Sequence, residues 1–131
     1  MEGCRLEIGG YEEGDLREII AIEKTSFPTP WSEMIFRREI AFPLSRMVVG
    51  RYCKDQERGV AGYLIYWLIV DEIHIQNIAV RQEMRRRGIA TKMLEETLGQ
   101  LHRDGSRRVT LEVRRSNLPA QRMYDLSLIH I

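Results

Sequence analysis

Asn77-Ile78-Ala79-Val80, then Arg81-Gln82-Glu83-Met84, then Arg85-Arg86-Arg87-Gly88-Ile89-Ala90: this stretch decides the fold of the 131-residue chain. Upstream, Glu72 to Val80 alternates at its start and is nearly apolar at its end, as a strand does. Downstream, Ile89, Ala90, Met93, Leu94, Thr97, Leu98 and Leu101 recur at helical spacing, and Gly105 stands just past them as a stop signal. Arg108 to Val113 alternates as a strand again. A strand, a crossover helix and a strand form a βαβ unit, so segments 72–80 and 108–113 are expected to be parallel neighbours.

The segment between strand and helix carries the most specific signal. Gly88 permits a tight bend and a close backbone approach to a ligand. The free N–H groups of the first helical turn, with the positive end of the helix dipole, form an anion site. Ala90 is small enough not to obstruct it. The pattern is neither G-x-G-x-x-G nor a loop ending in G-K-[ST], so the dinucleotide fingerprint and the P-loop are excluded. Three arginines alone would fit a solvated basic turn; the glycine in a strand–loop–helix setting favours a phosphate site. Charge agrees. Residues 1–80 carry nine Lys/Arg and thirteen Asp/Glu, a net of −4, and residues 81–131 carry eleven and six, a net of +5. An anionic ligand on the basic half is the expected reason, and arginine's planar fork suits phosphate.

Working outward, Leu6-Glu7-Ile8 reads as a short strand stopped by Gly9-Gly10. Asp15 is placed as the N-cap of a helix carrying Leu16, Ile19, Ile20, Ile22 and Glu23, which Phe27-Pro28-Thr29-Pro30 breaks. Ser32 caps a second helix with Ile35, Phe36 and Ile40 on its inner face, and Pro43 ends it. Met47 to Tyr52, Val60 to Val70 and Glu72 to Val80 are expected to form an antiparallel meander. The fold class is therefore α/β (α+β): a mixed, mostly antiparallel central sheet with helices on both faces. With 44% apolar and 30% charged residues, the composition is that of one globular domain. No apolar run reaches the eighteen residues of a membrane span. Cys4 and Cys53 lack His/Cys neighbours at metal-ligand spacing, so they are read as reduced thiols of a cytoplasmic protein without a metal site.

Arg85-x-x-Gly88-x-Ala90 after Asn77-Ile78-Ala79-Val80 resembles motif A of the GNAT superfamily of N-acetyltransferases, [Gln/Arg]-x-x-Gly-x-[Gly/Ala]. Leu111-Glu112-Val113-Arg114-Arg115-Ser116-Asn117, followed by Ala120 and Tyr124, is similar to the RimI branch, the ribosomal-protein-alanine N-acetyltransferases. Phe27-Pro28-Thr29-Pro30-Trp31-Ser32 is similar to that branch's Phe-x-x-Pro-Trp-Ser turn. The resemblance implies acetyl-CoA as cosubstrate. Its pyrophosphate would be held by Arg85, Gly88 and Ala90 and the backbone of Arg86, Arg87 and Ile89. Its pantetheine arm would lie along a splayed strand at Ile78 and Val80 and against Asn117. The oxyanion would sit near Ile78 or Ala79.

Acetyl transfer to an amine needs a held donor, a neutral amine, a stabilised oxyanion and a protonated leaving thiolate. The resemblance assigns Glu112 as general base, acting through a water, and Tyr124 as general acid. Alternation and a short helix alone would make the first a solvent-facing residue and the second a core aromatic. Trp31, Tyr66 and Asn77 would border the acceptor groove, with simple packing as the bland alternative for each. An α-amine, with a pKa near ~8, is an easier target for one carboxylate base than a lysine near ~10.4.

The resemblance thus implies transfer to the N-terminal alanine of a ribosomal small-subunit protein, by a monomer that binds neither nucleic acid nor membrane. The acidic first 80 residues would attract a basic substrate. Still open are transfer to a lysine or small amine, and a non-catalytic module binding CoA or RNA. In the RimI branch the tyrosine precedes a Gly-Phe and two further strands. Here Leu126-Ser127-Leu128-Ile129-His130-Ile131 stands in that place instead. A single N-acetyltransferase domain over residues 1–125, incomplete at its C-terminal end, with a non-native tail over 126–131, is the expectation.

Overall fold

Three consecutive β-rich runs become three consecutive antiparallel strands, and the chain before and after them supplies the helices that cover the sheet. The computed structural model describes residues 4–111. In chain order the elements are β1 (Cys4–Gly10), α1 (Leu16–Ser26), α2 (Glu33–Ala41), β2 (Ser45–Lys54), β3 (Glu57–Ile69), β4 (Glu72–Val80), α3 (Ile89–Arg103) and β5 (Arg108–Leu111). Short 3₁₀ turns at Glu13–Asp15 and Gln82–Met84 precede α1 and α3. The sheet order is β1-β2-β3-β4-β5, antiparallel throughout except for the parallel β4–β5 pair, as the crossover rule requires.

Several boundaries differ from the sequence reading, each for a local reason. β1 continues through Gly9 and Gly10, because both pair with β2 at Val49 and Val48. β3 stops at Ile69. A two-residue turn joins Ile69 to Glu72, so Val70 leaves the strand, takes φ 56° and stands 94% exposed. Asp15 makes no side-chain cap on α1, since the preceding 3₁₀ turn already gives it helical torsions. Its carboxylate instead accepts from Glu12 N at 2.8 Å and pairs with Arg51. Ser32 does cap α2, accepting from Ile35 N at 3.3 Å. Only Phe36 of that helix is buried; Ile35 and Ile40 are exposed.

The two faces of the sheet are packed by different helices. α1 and α2 cover Val49, Val60, Tyr63, Ile65 and Ala79. α3 covers Leu64, Ile73, Ile75 and Ile78, with Met93 and Ile89 set against Ala61 and Val80. Met93 fits because Gly62 has no side chain: a Cβ there would stand 3.1 Å from Met93 Cε and 2.7 Å from the Ala79 carbonyl oxygen.

One register shift sets the orientation of the end of β4. Ile65 pairs with Asn77 but Tyr66 pairs with Ile75, so Gln76 is an extra residue in β4. A β-bulge of one residue reverses the parity of the strand beyond it. Ile78 thereby shares the α3 face with Ile73 and Ile75, while Asn77 and Ala79 turn toward α1. This accounts for a strand whose alternation fades toward its end. No described helix is long and apolar enough to cross a membrane.

Candidate active site

Beyond Val80 the chain makes the 3₁₀ turn and then a loop with two left-handed residues, Arg86 (φ 65°) and Gly88 (φ 77°), before α3 begins. A Cβ on Gly88 would meet nothing within 4 Å. The torsion, rather than close packing, is what calls for glycine there. Arg86 adopts the same region with a side chain, at a cost of roughly 1–2 kcal/mol, and strain of this kind gathers at functional loops. The first helical bond of α3 runs from Lys92 N to the Gly88 carbonyl at 2.9 Å, so the amides of Ile89, Ala90 and Thr91 precede the ladder. The helix has no side-chain N-cap and no acidic residue in its first turn. Such an end favours an anion.

The predicted arginines divide into two kinds. Arg85 is half-buried and already engaged: its Nε donates to the Val80 carbonyl at 3.0 Å and its Nη2 to Ser26 Oγ at 2.9 Å. It ties the loop to α1. Arg86 and Arg87 are exposed at the loop's tip, beside exposed Gly88. Ile89 is buried at 4% exposure and anchors the helix start on the sheet, and half-buried Ala90 packs beside it.

On the α1 side of β4 lies a buried polar cluster. Glu23 is fully buried. Its Oε1 accepts from the Tyr63 hydroxyl at 2.5 Å and from Asn77 Nδ2 at 2.9 Å, and its Oε2 accepts from the backbone N of Trp31 at 2.8 Å. A buried carboxylate costs several kcal/mol unless hydrogen bonds replace its water, and these three donors do so. Trp31 is half-buried with its ring edge-on to Phe36, centroids 5.3 Å apart. Asn77 is 1% exposed, and its Oδ1 is without a partner.

The structure brings Trp31 and Asn77 together through Glu23, but not Tyr66. Tyr66 sits on the opposite face of the sheet, packed among Leu64, Ile73, Ile75 and Leu98 under α3, where burial pushes its phenol up. The sequence predicts it in the acceptor groove; strand parity puts it behind the sheet. Glu112, Asn117 and Tyr124 lie outside the described residues. Glu112 follows Leu111, which is the register partner of Ile75. Glu23, by contrast, reads in the sequence as a helical position and no more. Its signal is a carboxylate at the seventh place after Leu16 and the fourth after Ile19, in line with the buried stripe of α1.

The loop before α3 thus begins at the end of β4, the strand that carries Asn77 of the polar cluster. From Asn77 to Val80 is about 10 Å at 3.3 Å per residue. Among the described residues, no group of three His, Cys, Asp or Glu could hold a metal ion.

The sequence profile of the Acetyltransferase (GNAT) family matches residues 16–127. The chain is 30% identical over 123 residues to the Escherichia coli ribosomal protein bS18-alanine N-acetyltransferase, covering 90% of this chain and 76% of that one. It is 31% identical over 120 residues to an N-alpha-acetyltransferase of Saccharolobus solfataricus, covering 85% and 72%. The crystal structure of the Escherichia coli ribosomal-protein-alanine N-acetyltransferase superposes with a TM-score of 0.77 at 27% identity, over 93% of this chain and 76% of that one. The strand–loop–helix unit, the mixed sheet and these matches agree: the chain belongs to the GNAT family of acetyltransferases and, within it, is similar to the RimI-like enzymes that acetylate the alanine of a ribosomal protein.

Proposed function

We propose that this enzyme transfers the acetyl group of acetyl-CoA to the N-terminal α-amine of a ribosomal protein beginning with alanine. The observation that carries the reading is the uncapped α3 terminus, preceded by a loop with two left-handed residues that begins where β4, the strand of Asn77, ends. The names of its relatives point to the same acceptor.

In this reading the amides of Gly88, Ile89 and Ala90 hold the pyrophosphate, with Arg86 and Arg87 adding positive charge at the loop tip. Arg85 acts by pinning the loop. The pantetheine arm lies along β4 from Ile78 to Val80, and Asn117 hydrogen-bonds it. Trp31 and Asn77 border the acceptor. Glu112 takes the proton of the α-amine through a water as nitrogen attacks the thioester carbonyl. Tyr124 gives its proton to the departing thiolate, so the proton balance closes within the site.

The test is to incubate the chain with acetyl-CoA and peptides beginning with alanine, and with a peptide blocked at its N-terminus but carrying lysine. The alanine peptide is expected to gain the mass of one acetyl group and the blocked peptide to gain none. Acetylation of the lysine alone overturns the assignment of the acceptor. Thermal stabilisation by RNA and none by acetyl-CoA overturns the enzyme reading altogether.

A further inference from the structure

Arg81, the first residue after β4, reads in the sequence as one cation of a charged loop. In the fold it is tied to three elements at once. Its backbone N donates to the Ala61 carbonyl at 2.7 Å and its Nε to the Val60 carbonyl at 2.9 Å, both on β3. Its Nη2 donates to Glu18 Oε1 of α1 at 2.8 Å, as an ion pair, and its guanidinium carbon lies 5.9 Å from the centre of the Tyr52 ring on β2. Glu18 is held in turn: the same oxygen accepts from Val60 N at 3.1 Å, and Gly59, which has no side chain, leaves it room. The Arg81 side chain is 24% exposed, so water and salt screen this pair less than one at the open surface. Arg85 makes the matching contact four residues on, at Ser26. Glu18 and Ser26 lie about 12 Å apart along α1. One helix thus holds the loop at Arg81 and at Arg85, on the β4 side of the exposed tip from Arg86 to Gly88, where the left-handed torsions sit.

We propose that Arg81 is a positioning residue for acetyl-CoA. Through Glu18 it fixes the start of the loop on α1, as Arg85 fixes the residue before the tip, so that the amides at the α3 terminus are in place before the pyrophosphate arrives. The inference rests on the reading that this terminus holds the pyrophosphate. It adds a residue that touches no ligand and works by keeping the loop in its binding arrangement. A loop that is competent a tenth of the time binds about ten times more weakly.

The test measures kcat/KM for two donors at a fixed concentration of an alanine peptide: acetyl-CoA, and S-acetylpantetheine, which has the same thioester and arm but no phosphate. Arg81→Gln is expected to lower the value about tenfold with acetyl-CoA and to leave it within about twofold with S-acetylpantetheine. Glu18→Gln keeps an oxygen for Val60 N but loses the charge, and is expected to lower the acetyl-CoA value about threefold. Adding it to Arg81→Gln is expected to lower the value no further, because Glu18 acts through Arg81. Arg81→Lys, which keeps the charge, is expected to fall between wild type and Arg81→Gln. An equal fall with both donors marks a merely structural role and overturns the inference, as does an unchanged acetyl-CoA value or additive effects in the double variant; each leaves the acetyltransferase reading intact. A wild type that uses both donors equally well overturns the reading of the loop and the inference with it. A wild type that acetylates no peptide overturns the proposed function, and binding alone then decides the inference. The gain in melting temperature from a fixed concentration of CoA, taken from each protein's own baseline, is expected to be smaller in Arg81→Gln than in wild type. An equal gain overturns the inference.

Discussion

Arg85 and Ser26 join the loop before α3 to the end of α1. Arg85 Nη2 donates to Ser26 Oγ at 2.9 Å, and Ser26 Oγ in turn donates to the Ile22 carbonyl at 2.6 Å. The first arginine of the motif is thus engaged within the protein, holding the loop that leads into α3. Arg85→Ala is expected to lower the unfolding free energy by about 2 kcal/mol, from two hydrogen bonds to a charged donor. It should also weaken acetyl-CoA binding more than peptide binding. Denaturant midpoints and calorimetry check the two effects.

Gly88 and Arg86 occupy the same left-handed region, and substitution should move stability in opposite directions. Gly88→Ala meets no steric obstacle, so its cost is torsional, about 1–2 kcal/mol. Arg86→Gly relieves that torsion, and the relief exceeds the smaller entropic cost of a glycine. Thermal denaturation is expected to place the alanine variant below wild type and the glycine variant above it. A lower melting point for both would mean that the Arg86 side chain contributes to the loop.

Truncating Glu23 should cost far more than its size suggests. Glu23→Ala removes the acceptor from three donors, one of them the Trp31 amide, and leaves them buried. A loss of about 3 kcal/mol or more is expected. Tyr63→Phe removes one donor and keeps the rest, for about 1–2 kcal/mol. Urea unfolding, with the slope compared between variants, separates the two.

The alkaline limb of stability carries a further signature. Tyr11 has its pKa pushed up to about 12, first by burial and then by its hydroxyl's bond to Glu13 at 3.1 Å. Burial raises the phenol of Tyr66 as well. A group that holds its proton more tightly when folded contributes stability that is complete below the unfolded value near 10. That contribution is lost as pH climbs through the folded value. Melting temperature should therefore fall between about pH 10 and 12, and Tyr11→Phe should flatten that fall. An unchanged slope in the variant would remove Tyr11 from the account.

How much of the molecule is legible in the sequence depends on the range over which each signal acts. The β4–loop–α3 unit is readable because its determinants are local: a glycine where the torsion is left-handed, a helical repeat from Ile89, and a strand on each side that only a parallel crossover can join. Ser32 as a cap is readable for the same reason. Val70 reads as strand and is not, because a β-rich run does not announce where a two-residue turn must close. Tyr66 is expected beside Trp31 and Asn77 and lies on the opposite face of the sheet, because the side of a strand is a property of packing. Nothing in an apolar run states which helix will cover which parity.

The amino-acid sequence by itself determined the order of the elements, the parallel pair at β4 and β5, and the glycine turn that starts α3 between them, since each follows from contacts within a few residues or from the handedness of the chain. Only the tertiary structure decided which side chains meet. One extra residue at Gln76 turns Asn77 toward α1, 54 positions back along the chain, where a buried carboxylate waits for donors that its own helix cannot supply. A polar group taken out of water has to be satisfied by whatever the fold brings to it, and that depends on the fold as a whole.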